Sequence, residues 1–278
     1  MSDDEADPEL LELLRQSLGI GSSKSALNET KVLESAEYVY DNSIDVALVS
    51  QNTKAAARLI WAQMQQKNYS TKTWSEHQLH PQAKDESTVN FIFTMDLLNF
   101  SFWSEKGPDD RFAIEYQGRR WTGYWSLVAA LRRALDEGIP ITSSDFWQNE
   151  FECNKDTLRH VFRSATNEEI PLLDERLWCL QEAGHVLYSR YNCRFANCIQ
   201  EARGSAASLV NILSDNFSCL RDEVKFEGKK VRFLKRAQLI VADLWACFDG
   251  ASYGEFYDID KITMFAGEQS CPPLRIAS

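Results

Sequence analysis

A chain of 278 residues with 44% hydrophobic content is long enough to bury a sizeable core, which excludes disorder for most of its length. Its 41 acidic against 30 basic residues give a formal charge of −11, which opposes tracking along a phosphate backbone; intact nucleic acid is not an expected partner, while a single nucleotide stays open. No apolar run reaches membrane-span length, and Ser2-Asp3-Asp4-Glu5-Ala6-Asp7 has the wrong charge for a signal or transit peptide, so the expectation is a soluble intracellular, cytoplasmic protein with no membrane partner.

Residues 1–30 read as an acidic leader that becomes rich in Gly, Ser and Lys at Gly19 to Lys24, and the folded domain is expected to begin at Lys31. Ala56, Leu59, Ile60 and Met64 recur at helical spacing and predict a helix over Thr53 to Lys67. A second helix is predicted from Lys84 to Leu98, with apolar residues too dense for an exposed element. Trp74 to Pro81, between them, reads as a loop. Phe112 to Tyr116 and Arg119 to Thr122 alternate around Gln117-Gly118, a hairpin signal. A helix from Tyr124 to Glu137 stops at Gly138 and Pro140, and Ser143 or Ser144 is expected to cap the next one, through Phe151. Asn154 to Arg163, capped by Asn154, then Leu172 to Tyr191 and Gly204 to Asp215 read as helices. A hairpin about Glu227-Gly228 and a helix from Leu234 to Phe248 complete a mainly α, single-domain protein with two small β-hairpins.

Four of the eight tryptophans fall between residues 91 and 147, where flat side chains stand beside small hydroxyls. Such a block either walls a planar ligand or forms an aromatic core, and composition alone does not choose. The seven cysteines are scattered without a CxxC pair, so they read as reduced thiols and suggest no zinc site. His80, His160 and His185 lack metal or triad spacing, and P-loop, GxSxG and HExxH motifs are absent. On the last helix, steps of about 100° bring Arg236 and Asp243 to within about 20° of each other. Asp243 is then a catalytic carboxylate or, the stronger reading, half of a structural ion pair with Arg236. Lys229, Lys230, Arg232, Lys235 and Arg236 form the one basic cluster, read first as a solvated hairpin edge and second as a phosphate seat. His77 suits hydrogen bonding to a base edge, although a lone histidine is more often structural.

Several longer words resemble one known family. They are Asn99-Phe-Ser-Phe-Trp-Ser104, Tyr124-Trp-Ser-Leu127, Ala134-Leu-Asp-Glu-Gly-Ile-Pro-Ile-Thr142, Phe226-Glu-Gly228, Lys235-Arg-Ala-Gln238 with Val241-Ala-Asp243, and Ile262-Thr-Met-Phe-Ala266. Together they are similar to the queuosine 5′-phosphate N-glycosylase/hydrolases, the queuosine salvage proteins, over residues 31–266. The resemblance implies a helical fold related to DNA glycosylases, no cofactor and no metal. It also implies hydrolysis of queuosine 5′-phosphate to queuine, for salvage into tRNA queuosine, and ribose 5-phosphate. It places His77 and the backbone of Phe265 and Ala266 against the queuine base, and it lowers Asp243 as the nucleophile. Its catalytic aspartate follows the Met-Phe-Ala word, where this chain has Gly267. Glu268, one position later, is no expected substitute, because one residue in an extended segment turns a side chain to the opposite face. Residues 267–278 therefore read as a non-family tail on an incomplete domain, and a catalytically silent nucleotide-binding or regulatory variant is the alternative to an active hydrolase.

Overall fold

The computed structural model describes residues 29–44, 47–68 and 72–264. Among these, eleven α-helices and two separate two-stranded antiparallel hairpins give the mainly α architecture expected. The helices are α1 (Val32–Asn42), α2 (Ser50–Gln66), α3 (Lys72–Glu76), α4 (Glu86–Leu97), α5 (Tyr124–Asp136), α6 (Ser144–Gln148), α7 (Lys155–Val161), α8 (Leu173–Tyr191), α9 (Phe195–Ala202), α10 (Ala206–Asn216) and α11 (Lys235–Cys247). The strands are β1 (Ile114–Tyr116) with β2 (Arg119–Trp121), and β3 (Glu223–Phe226) with β4 (Lys229–Arg232).

Both hairpins turn through two residues with positive φ, Gln117-Gly118 at 52° and 69° and Glu227-Gly228 at 42° and 79°. That backbone twist matches the strands it joins, and glycine is the residue that adopts it without strain. The pairings Tyr116 with Arg119 and Phe226 with Lys229 follow.

At the centre lies α4. Asp85 caps it by accepting the backbone N–H groups of Ser87 and Thr88, two residues into the predicted span. Thr88, Val89 and every residue from Phe91 to Leu97 are buried, so beyond Asn90 the helix has no solvent face. Phe93 stacks on Phe195 of α9 at 4.0 Å and meets Phe217 at 5.4 Å and Trp147 at 6.1 Å. Alongside, α6 reaches α8 closely because Gly184 has no side chain: a Cβ there would stand 2.9 Å from that of Trp147.

Several boundaries differ from the expected ones. The helix after Pro140 ends at Gln148 rather than Phe151, and neither serine caps it; the Ser144 hydroxyl donates instead to the Cys193 carbonyl at 2.7 Å. Helices α1, α3 and α9 were not anticipated. Asn154 does cap α7, and Ser205 caps α10. The start of the predicted leader lies outside the described residues.

The chain leaving α4 is held by an arginine. Arg176 of α8, 0% exposed, donates to the carbonyls of Leu98 at 2.6 Å, Phe100 at 2.5 Å, Ser101 at 3.2 Å and Pro171 at 3.0 Å. Its guanidinium also lies 4.4 Å from the Phe100 ring and 5.5 Å from that of Phe102. The Asn99–Ser104 word thus wraps an arginine rather than a ligand, and its Trp103 points to solvent. Replacing Arg176 by Leu should cost at least about 3 kcal/mol in urea unfolding, since it strands several buried carbonyls at once; a loss below about 1 kcal/mol would show that those carbonyls find other partners.

Candidate active site

Residues Trp74 to Pro81 carry α3 and the turn after it to the N-terminus of α5, where the second aromatic word begins. The His77 ring lies face to face on Trp125, centroids 3.4 Å apart and planes 18° apart, and Trp121 meets it edge-on at 5.9 Å. His77 Nδ1 accepts the Leu79 backbone N–H at 3.2 Å. In the neutral ring the proton is then on Nε2, which has no hydrogen-bond partner among the described residues and is the donor left for a ligand. Burial lowers the pKa of His77, favouring this neutral form.

His80 stands beneath, 4% exposed, stacked on Trp74 at 4.0 Å. Its Nδ1 lies 2.7 Å from the Trp74 carbonyl, which can only accept, so Nδ1 carries the proton. Nε2 then accepts the Tyr124 hydroxyl at 2.8 Å. Desolvation pulls His80 down to about 4 and raises Tyr124 above its ordinary value, with Asp243 and Asp96 adding to the rise. Neither group ionises near neutrality.

Asp96, the one aspartate of α4, and Asp243 of α11 complete the cluster. Asp96 is 0% exposed; Oδ1 accepts from Asn99 Nδ2 at 3.3 Å and Oδ2 has no partner. Burial first and Asp243 second push its pKa well above the carboxylate range. Burial raises the half-buried Asp243 to about 7, opposed by the Trp74 indole N–H, which faces it without a regular hydrogen bond.

The expected ion pair is absent. Arg236 donates instead to the carbonyls of Leu97, at 2.6 Å, and Cys219, with its guanidinium 4.7 Å from the Phe100 ring. Seven residues along a helix restore the angle but add about 10 Å of height, which places Arg236 and Asp243 on one face at different levels. The basic cluster behaves as a structured hairpin edge: Lys229 pairs with Glu34 at 3.0 Å, and Lys230 and Arg232 pair with Glu223 at 2.8 and 2.9 Å. Lys235 lies next to these residues, half-buried, and its ammonium forms no ion pair among the described residues. Phe265, Ala266, Gly267 and Glu268 lie outside the described residues. No group of side chains suited to a metal ion occurs among the described residues. No described helix is long and apolar enough to cross a membrane.

Sequence reasoning found His77 and Asp243 but not Trp74, His80, Tyr124 or Asp96 as members of one cluster. The available signal for Asp96 was a lone carboxylate inside an apolar run that had to be buried. Two clefts, of about 690 and 230 Å³, lie elsewhere, beside Arg203 and Tyr257 and beside Arg159 and Glu169.

A helical framework here carries a stacked His77–Trp125 pair, an imidazole N–H without a partner among the described residues and a buried carboxyl pair, the flat faces and polar groups that sites for planar polar ligands use. The family model for the queuosine salvage protein matches residues 79–274. The chain is 42% identical over 233 residues to the queuosine 5′-phosphate N-glycosylase/hydrolase of Nematostella vectensis, covering 84% of this chain and 66% of that protein. It is 42% identical over 243 residues to that of Schizosaccharomyces pombe, covering 85% and 70%, and 41% identical over 234 residues to that of Bos taurus, covering 84% and 67%. The chain belongs to the queuosine salvage protein family, and it spans about two thirds of the length of these relatives.

The raised carboxyl and the lowered imidazole make opposite contributions to stability. Asp243 stabilises the fold in its protonated form, a contribution complete below about pH 4 and lost as pH rises through 7. His80 contributes above about pH 6.5, and that is lost as pH falls through 4. Asp243→Asn should therefore become progressively more stable relative to the parent between about pH 4 and about pH 7, by a few kcal/mol at most. Parallel denaturation curves across that window would contradict the placement of Asp243.

Proposed function

We propose that this chain takes the base of queuosine 5′-phosphate against the cluster of His77, Trp121 and Trp125 and hydrolyses its N-glycosidic bond, releasing queuine and ribose 5-phosphate. The observation that carries this reading is the His77–Trp125 stack with Nε2–H unpartnered, a flat wall beside a donor. The relatives' shared name, queuosine 5′-phosphate N-glycosylase/hydrolase, supplies the substrate and the bond.

A 7-deazapurine leaves poorly, because it lacks the ring nitrogen that ordinarily takes up a proton. The reaction then needs a sugar cation to be stabilised, a water to be oriented and the departing base to be held. His77 and the aromatic walls serve the third need. A carboxylate near the sugar would serve the first two, as in other glycosyl cleavages. At the position where the family resemblance places that aspartate, this chain has Gly267. That residue favours a second reading, in which the chain binds the nucleotide without turning it over.

Incubating the purified chain with queuosine 5′-phosphate and measuring queuine by mass spectrometry separates the two. Release that is weakened about tenfold or more by His77→Ala supports the hydrolase, because a lost ligand hydrogen bond of this kind is worth about that factor. A ligand-induced rise in Tm without queuine release supports the silent binder. Neither release nor a thermal shift would overturn both.

A further inference from the structure

We propose that Cys179 and Cys219 are a redox modification site: a peroxide converts their thiols into a disulfide that a small thiol reverses, and the change passes to the end of α4 through Arg236. Nothing in the spacing of the two cysteines, 40 positions apart, marks them as partners. The packing of α8 against the turn before β3 makes them so.

Cys179 is buried on α8, and Cys219 stands half-buried in the 3-10 turn Ser218–Leu220. Residues three apart share a helix face, so Glu182 lies one turn beyond Cys179 on the same side of α8. Its carboxylate accepts the backbone N–H of Ser218 at 2.6 Å and that of Cys219 at 3.2 Å, which fastens the turn to that face. The two thiols are in hydrogen-bond contact, Cys219 donating to the Cys179 sulfur. Arg236 closes the other side: its guanidinium reaches the Cys179 sulfur and donates to the Cys219 carbonyl. Cys219 first and Arg236 second hold the Cys179 thiol below its ordinary pKa, whereas burial raises Cys153, Cys193, Cys198 and Cys247. Thiolate is the reactive form of cysteine, and this pair is where the described structure favours it.

Two thiols and one peroxide give one disulfide and two waters. Proton transfer within the pair puts thiolate on the half-buried Cys219 sulfur, which attacks the peroxide, breaks its O–O bond and becomes a sulfenic acid. Cys179, as thiolate, then attacks that sulfur and expels its oxygen. Each departing oxygen leaves as water with one of the two thiol protons, and the two electrons lost by sulfur are gained by the peroxide. A disulfide holds its sulfurs about 2.05 Å apart, closer than hydrogen-bonded thiols stand, so one cysteine has to move. Cys179 is packed in the core on a helix of 19 residues, whereas Cys219 sits in a turn of 3, and the turn is the part that yields. Its carbonyl shifts with it, and Arg236 loses one of its two backbone acceptors. The other is the Leu97 carbonyl, next to Asp96, whose charge Arg236 favours through space. Oxidation therefore loosens the C-terminal turn of α4.

The test treats the reduced full chain with one equivalent of hydrogen peroxide, alkylates the remaining thiols and digests the protein with trypsin without reductant. Mass spectrometry should find the peptides of Cys179 and Cys219 joined as the main disulfide, separated again by dithiothreitol and not joined in Cys219→Ser. Circular dichroism shows whether that variant folds, and the digest of the parent is decisive without it. Hydrogen exchange of the amides at 97–100 should be at least about threefold faster in the oxidised parent than in the reduced one, the lower end of what one hydrogen bond contributes. Peroxide-treated Cys219→Ser should keep the slow rate. Absence of the crosslink, with either cysteine carried on to sulfinic acid or a different pair joined, would overturn the site. A crosslink that leaves exchange at 97–100 unchanged would overturn its connection to α4 through Arg236.

Discussion

The C-terminal end of α4 governs the site. A helix leaves its last carbonyls without intrahelical partners, and one whose C-terminal turns are buried on every side cannot offer them to water. Here two arginines from other helices answer that need, Arg176 of α8 at Leu98, Phe100 and Ser101 and Arg236 of α11 at Leu97. Positive charge at a helix C-terminus also suits the helix dipole. The consequence is that neither guanidinium forms an ion pair with Asp96 or Asp243. Arg236 offsets the burial of Asp96 only through space.

The polar chain around them follows from the same economy of partners. Trp74 gives its carbonyl to His80, His80 takes the Tyr124 proton, and the Tyr124 ring meets Trp125 at 4.9 Å. Each step fixes a tautomer or rotamer, so the His77–Trp125 wall rests on ordered groups rather than on a free loop. A site that binds flat ligands needs this rigidity, since a stacking surface that rearranges loses contact area.

Local signals carried much of the fold. The hairpins were legible because Gln117-Gly118 and Glu227-Gly228 specify a turn chemically, and α5, α8 and α11 because their apolar spacing is long and regular. Helix α9 was missed although Phe195, Cys198, Ile199 and Ala202 have helical spacing; eight residues were too few to stand out. Within the site, His77 was legible as a candidate from its neighbours in sequence. The carboxylate pair was not, because Asp96 and Asp243 are 147 positions apart and meet only through helix packing. The aromatic block, read as wall or core, divides between three roles. Trp147 is core, Phe100 and Phe102 clothe Arg176, and Trp121 and Trp125 pack on His77.

The most direct test of the central claim is nitrogen-15 NMR of the histidine and tryptophan side chains during a queuine titration. The account predicts saturable shifts at His77 Nε2 and at the Trp121 and Trp125 indoles, with the buried Trp147 indole unmoved. Saturable binding that leaves His77 and Trp125 unchanged would place the ligand elsewhere and contradict it.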